Sequence, residues 1–296
     1  MKILVLRGDM LSAVPYHRQI VPHMNWNWED DGIVIANTTS PNLIQMCEKF
    51  HFDLVLYSVF VIEPYVKWID WMKHNGTKFV LDIDDLYPYK KVKGSLSIAD
   101  AVITPSPNLD KEYFRHHKKS AYLIENGINS ADPQWKPVKR EGELTFGYMG
   151  STRHEKDLEL IKSDIKILTA VDYTSVVNSE CIGMMPVDKY GYLYDEIDVS
   201  LAPLVNNSFN KSKSSLKAVE AGFKKKALIC SDILPYNKDV DIAKAAILTD
   251  DFDKEMKSMT KSKAEDMGEA LFEAVQKYEI KTLNKKRREI YQEIIK

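Results

Sequence analysis

Two stretches of this sequence carry side chains suited to holding a phosphate. In Phe146-Gly147-Tyr148-Met149-Gly150-Ser151-Thr152-Arg153-His154-Glu155-Lys156-Asp157 an apolar strand runs through a glycine loop into a charged helix start. Gly150 lets backbone come close to a ligand, first-turn N–H groups lack partners of their own, and Arg153 and Lys156 can neutralise a diphosphate. The pattern is looser than a Walker loop and also fits an ordinary strand-to-helix turn with cations in water. The second stretch leads from a buried strand at Val199–Pro203 through Asn210, Lys211, Ser212 and Lys213 to a helix starting near Ser214 and Ser215. Ser212, Ser214 or Ser215 can cap that helix, and its free N–H groups, with Lys211 and Lys213 beside them, suit an anion. Glu220 follows about two turns on, where a carboxylate can accept hydrogen bonds from a ribose diol; a capped surface helix with a solvated Glu is the alternative.

The amino-terminal half offers other groups. Asp82, Asp84 and Asp85 close an apolar strand and suit a divalent ion, a general base or a polar contact to substrate. Alternation puts Asp82 and Asp84 on one face, and Asp84 is the better placed to touch substrate. Tyr16, His17 and Arg18 follow the first strand and its Arg7-Gly8-Asp9 loop, at the rim where an acceptor can bind; a polar helix start is the alternative. Trp26 and Trp28 can stack on a sugar or base, or pack against their own domain.

These groups need a frame. Short apolar runs at Ile3–Leu6, Gly32–Ala36, Leu54–Tyr57, Phe79–Ile83, Ala101–Thr104 and Ala121–Ile124 alternate with helical patterns at 41–50, 64–74 and 107–117, the rhythm of βαβ units. Two prolines in Asp132-Pro133-Gln134-Trp135-Lys136-Pro137 and the charged run 139–143 read as a linker. The rhythm then resumes with strands at Thr145–Met149, Thr174–Val177, Val199–Pro203 and Ala227–Cys230, and helices from Lys156 and over Ser214–Ala221. Two helices are expected after Lys261, with Met267, Leu271, Val275 and Tyr278 on one face. The predicted fold is α/β, two Rossmann-like domains facing a cleft. Residues 1–138 form the acceptor side and 139–280 the donor side; a helix at 281–296 packs back on the first domain.

A chain of 296 residues can build two such cores, and 44% hydrophobic with 28% charged residues excludes wholesale disorder. No window approaches the roughly 18 apolar residues that span a bilayer. The opening apolar run ends at Arg7, too early for a secretory core. Cys47, Cys181 and Cys230 lack disulfide or metal spacing, which favours a reducing cytoplasm. The net charge of −2 gives no global pull toward polyanions, although lysines cluster at 90, 91 and 93, at 118–119 and at 224–226, and basic residues again at 286–288.

In order, these phrases resemble the retaining family 4 glycosyltransferases of the GT-B fold, in particular the short variants of phages and mobile elements. The carriers are the Gly150-Ser151 strand end with its basic turn, Phe209-Asn210-Lys211-Ser212-Lys213-Ser214, and Glu220. Upstream are Tyr16-His17-Arg18, Leu81–Leu86, Ala99–Ser106 and Ile124-Glu125-Asn126-Gly127-Ile128-Asn129. The resemblance covers most of residues 1–240 and implies sugar transfer from a nucleotide diphosphate sugar, a UDP-sugar being expected, without bound metal or cofactor. Gly8, Gly150, Ser151, Arg153, Lys156, Asn210, Lys211, Lys213, Ser214 and Ser215 would bind the donor, and Glu220 its ribose. Asp84, Arg153 and Lys156 would be catalytic; Tyr16, His17, Arg18, Asp84 and Asp85 would meet the acceptor. Ser151 stands where the family often has Arg, and Ser212 where it has a first Glu. The phage-type resemblance favours a hydroxymethylated DNA base as acceptor, with a glycan, lipid or protein as alternatives. A sugar-nucleotide epimerase or a non-catalytic sugar-nucleotide-binding protein are other readings of the same fold.

Overall fold

The computed structural model describes residues 1–7, 13–58, 66–117 and 121–296. Gly8, Asp9, Pro64, Lys118 and Lys119 lie outside them. The chain divides into two compact units, Met1–Gly127 with Ser212–Ser214 and Ile280–Lys296, and Ile128–Lys211 with Ser215–Glu279. The division falls after Gly127, ahead of the proline-rich stretch that reads as a linker. That stretch belongs to the second unit because Gln134 and Trp135 are buried there. The buried Lys224 ammonium also clamps it, donating to the carbonyls of Gln134 and Lys136 at 2.9 Å each.

The first unit is built on six parallel strands, β1 (Lys2–Arg7), β2 (Gly32–Asn37), β3 (Leu54–Ser58), β4 (Lys78–Asp82), β5 (Ala101–Thr104) and β6 (Ala121–Leu123), in the order β2-β1-β3-β4-β5-β6. Their apolar runs are nearly continuous because both faces are covered. Leu4, Leu6, Val55, Tyr57, Phe79 and Leu81 pack on one face with Ile69, Met72, Val92 and Leu96 of the flanking helices. Ile3, Val5, Leu54, Leu56, Val80 and Ile103 pack on the other, where Ile290 and Tyr291 of the Ile280–Ile294 helix meet them.

The second unit repeats the design with β7 (Phe146–Tyr148), β8 (Ile167–Thr169), β9 (Ser179–Cys181), β10 (Val199–Ala202), β11 (Ala227–Ser231) and β12 (Ile247–Thr249), ordered β12-β11-β10-β7-β8-β9. All pairings are parallel. The expected strand at Thr174–Val177 is a turn instead. Asp172 Oδ1 accepts from the Thr174 amide at 3.0 Å and its hydroxyl at 2.7 Å, and the Val176 and Val177 amides return to the Tyr173 carbonyl. Local side-chain bonding there overrides β-branched propensity. The helix expected from Lys156 is a single turn, Glu155–Leu158, and the one expected at Ser214–Ala221 runs Leu216–Phe223.

Each strand order reverses once, between β1 and β3 and between β7 and β10. Ligands of open parallel sheets bind at the carboxyl ends of strands beside such a reversal. In the second unit these ends release the Gly150 loop and the segment leading to Glu220. No helix of the described residues is long and apolar enough to cross a membrane.

The Leu216–Phe223 helix is seated against the Lys261–Val275 helix through Gly222. A Cβ there would lie 2.6 Å from Val275 Cγ2 and 3.0 Å from the Leu271 carbonyl. Gly222→Ala is expected to cost about 1–3 kcal/mol of stability by overpacking, read from the urea midpoint; an unchanged midpoint would refute this contact.

Candidate functional site

The Gly150 loop leaves β7 at the sheet reversal. A Cβ on Gly150 would fall 2.2 Å from the Tyr148 ring, so glycine is required there by the buried tyrosine beneath it. Ser151 is exposed, and its carbonyl accepts from Tyr173 Oη at 2.6 Å. Arg153 takes a left-handed backbone, φ 79°, a conformation costly for a non-glycine residue and concentrated at functional loops. Its side chain and that of Lys156 are exposed, giving the loop two cations.

Asp157 closes this loop onto the one after β10. Its Oδ1 accepts from the Val205 amide and from Asn210 Nδ2, both at 2.8 Å, and its Oδ2 pairs with His154 Nδ1 at 2.8 Å. Burial works to raise the Asp157 carboxyl, but the hydrogen bonds from His154 and Val205 outweigh it and hold it below the ordinary carboxylate range. Asn210 is buried and also donates to the Val205 carbonyl at 3.0 Å, so it shapes the loop from within rather than facing a ligand.

Glu220 is buried on the Leu216–Phe223 helix. It accepts from Tyr194 Oη at 2.7 Å and from Lys217 Nζ at 2.9 Å. Lys217 also donates to Tyr190 Oη at 2.7 Å and to the Met149 carbonyl, which takes the Tyr190 hydroxyl as well. Burial, with the Glu220 carboxylate, pushes the Tyr190 and Tyr194 phenols up, so both stay protonated donors. This network joins Glu220 to the backbone one residue before Gly150. Ser215 stands at the helix N-cap without a side-chain cap bond, contrary to the capping expectation; the amides of Ala218 and Val219 return to its carbonyl instead. Lys211 is partly exposed in the second unit, whereas Lys213 and Ser214 group with the first.

The acceptor-side residues differ more from expectation. Gly8 lies outside the described residues. Tyr16–Ile20 is a wide, π-type turn within a helix that spans residues 13–24, and it turns His17 and Arg18 inward. Arg18 donates through Nε to Asp82 Oδ1 at 2.9 Å and through NH1 to the Ile124 carbonyl at 2.5 Å and Asn126 Oδ1 at 3.1 Å. A guanidinium so enclosed cannot meet an acceptor, which corrects its expected role. Asp82 is equally buried and committed to Arg18. Trp26 packs in its own unit, stacked 5.6 Å from His23 and 5.8 Å from Tyr291, and Arg288 lies 5.2 Å over Trp28. Asp84 and Asp85 remain partly exposed, with Tyr87 Oη donating to Asp84 at 3.2 Å. Burial foremost, then the neighbouring carboxylates Asp85 and Asp82, raise Asp84 to about 7. Among the described residues no three His, Cys, Asp or Glu side chains gather as a metal-holding group.

Several chains of known structure match this one over nearly their whole length. The fold is GT-B. A glycosyltransferase from Rickettsia africae superposes with a TM-score of 0.67 at 14% identity, covering 100% of this chain and 98% of that one. Anabaena HepE, solved in complex with UDP and glucose, gives 0.72 at 11% identity over 99% and 100% of the two chains. Sucrose-phosphate synthase from Thermosynechococcus elongatus gives 0.70 at 13% identity over 99% and 98%. No family model and no curated protein matches the sequence. In the GT-B frame the Gly150 loop and Glu220 belong to the second α/β unit, Asp84 to the first. Lys217, Tyr190, Tyr194 and Asp157 were not singled out from the sequence; the i,i+3 spacings Lys217–Glu220 and His154–Asp157 were the available signals.

A carboxyl raised in the folded state binds a proton that the unfolded chain has lost, so its contribution to stability falls as pH climbs from about 4 toward 7. Asp84→Asn removes that penalty. It should stabilise the protein at pH 8 more than at pH 5, the difference being at most about 2–3 kcal/mol, as measured by thermal unfolding at the two pH values. An equal effect at both would refute the raised Asp84.

Proposed function

We propose that this chain is a glycosyltransferase that moves a sugar from a nucleotide diphosphate sugar, a UDP-sugar, to an acceptor hydroxyl. The observation that carries the reading is the convergence, at the β7/β10 reversal, of a strained glycine loop bearing Arg153 and Lys156 with the segment leading to a held carboxylate, Glu220. Whole-chain likeness to glycosyltransferases, one of them in complex with UDP and glucose, supports it. Arg153 and Lys156 neutralise the charge that develops on the departing diphosphate; the resemblance gives Glu220 the ribose hydroxyls, which would have to compete with its bonds from Tyr194 and Lys217. Asp84, near neutrality in its proton affinity, accepts a hydrogen bond or proton on the acceptor side. The resemblance to the retaining family adds attack on the face from which the diphosphate leaves. The free thiols of Cys47, Cys181 and Cys230 fit a reducing cytoplasm as the setting.

Lys156→Ala and Glu220→Ala should each weaken UDP binding roughly ten- to a hundredfold, the worth of a charge-assisted hydrogen bond, in titration calorimetry. Unchanged affinity in both would displace the donor site. We read the reaction as metal-independent, since Asp82 is committed to Arg18. Release of UDP from the sugar donor should persist in EDTA; complete loss with rescue by magnesium or manganese would overturn this.

For the acceptor, we infer a hydroxymethylated base in DNA. The supporting feature is the Tyr89–Ile98 helix, which follows Asp84 and Asp85 and carries exposed Lys90, Lys91 and Lys93 with no acidic residue. Replacing the three lysines by alanine should lower the slope of log affinity against log salt for duplex DNA by about 2 to 3. It should leave UDP binding unchanged. If the wild-type protein shows no salt-dependent DNA binding, a glycan, lipid or protein acceptor takes its place.

A further inference from the structure

The donor loop holds an imidazole that the reading above leaves unused. His154 follows the strained Arg153, and its Nδ1 lies 2.8 Å from Asp157 Oδ2. Its ring stands edge-on to Tyr148, 5.9 Å between centroids, and Tyr148 is the residue against which Gly150 closes. We propose that His154, fixed through Nδ1 by Asp157, is a phosphate ligand of the donor site that binds the nucleotide diphosphate as the imidazolium, through a hydrogen bond donated by Nε2. This rests on the donor reading above.

Three observations carry the assignment. Asp157 is held below the ordinary carboxylate range, and an ionised carboxylate can only accept. The proton on Nδ1 is therefore fixed, and Nε2 is the nitrogen that gains or loses one. Second, the same carboxylate that orients the imidazole ties the Gly150 loop to the loop after β10, so the ring is held at the sheet reversal rather than hanging from a mobile turn. Third, the ring keeps about a fifth of its side chain exposed, 20%, while Asp157 is at 9%. The side chain is thus partly exposed on a buried anchor.

Asp157 faces Nδ1; Tyr148 and Tyr173, both with phenols raised foremost by burial, stay neutral. Arg153, Glu155 and Lys156 are the charged neighbours of His154 in the chain. A bound diphosphate places negative charge beside the ring and favours the imidazolium, so ligand and proton bind together.

UDP-glucose is the suitable probe, because its diphosphate is a diester whose charge is constant from pH 5.5 to 8. Calorimetry should show wild-type affinity about tenfold tighter at pH 5.5 than at pH 8. His154→Gln should flatten that dependence and lose the gain at low pH, and His154→Lys should bind tightly at both values. In the wild-type protein, the His154 imidazole signal followed by NMR should titrate at higher pH with UDP-glucose than without. Binding with the same pH slope in His154→Gln, or an imidazole titration that ligand leaves in place, overturns the proposal alone. Failure of the wild-type protein to bind UDP-glucose at any pH overturns the donor reading, and the proposal with it.

Discussion

The second unit turns on one carboxylate. Asp157 sits on a single helical turn that has almost no stability of its own, since one turn cannot repay the cost of nucleation. What holds the turn is its bonds to Val205 and Asn210, across the gap where β7 and β10 lie side by side. Two loops that leave neighbouring strands are thereby joined into one surface, and Arg153 is kept in a backbone conformation it would not choose alone. Glu220 is secured from the other direction, by Tyr194 and by Lys217, which also reaches the Met149 carbonyl. Strain and burial are both tolerated here because the surroundings over-determine them.

The first unit solves a different problem with buried cations. Arg18 and Arg287 are both fully enclosed, and burial lowers Arg287 to about 10. Asp82 supplies the charge partner of Arg18, while Ile124, Asn126 and Asn284 supply neutral acceptors. His23 between Gln19 and Tyr291 is pushed down to about 3, chiefly by burial and then by Arg287, and so stays neutral. Removing any one partner would leave a desolvated charge exposed to nothing, a costlier loss than the pair is a gain.

The fold was legible because a parallel sheet covered on both faces needs nearly continuous apolar runs. Ile3–Leu6, Leu54–Tyr57 and Phe79–Ile83 carry that mark plainly. It fails at the short edge of the second sheet, where Asp172 captures Thr174 and bends a β-branched run into a turn. The places of the glycine loop, after β7, and of Glu220, on the helix that follows β10, could be read from residue type and spacing. Arg18 could not: a guanidinium in a polar helix start looks the same whether it faces water or Asp82, sixty-four positions away in the chain. Long-range pairing of this kind leaves no local pattern.

The position of the Ile280–Ile294 helix has a consequence for how the protein is made. Its Ile290 and Tyr291 cover a sheet whose strands are complete by residue 123. On a ribosome adding roughly 5–20 residues per second, that sheet face waits several seconds or more while the whole second unit is synthesised. Ile3, Val5, Leu54, Leu56 and Val80 lack the cover of Ile290 and Tyr291 throughout. The first unit therefore cannot finish before the second has been threaded out, and the nascent chain carries an apolar surface of the kind that chaperones hold.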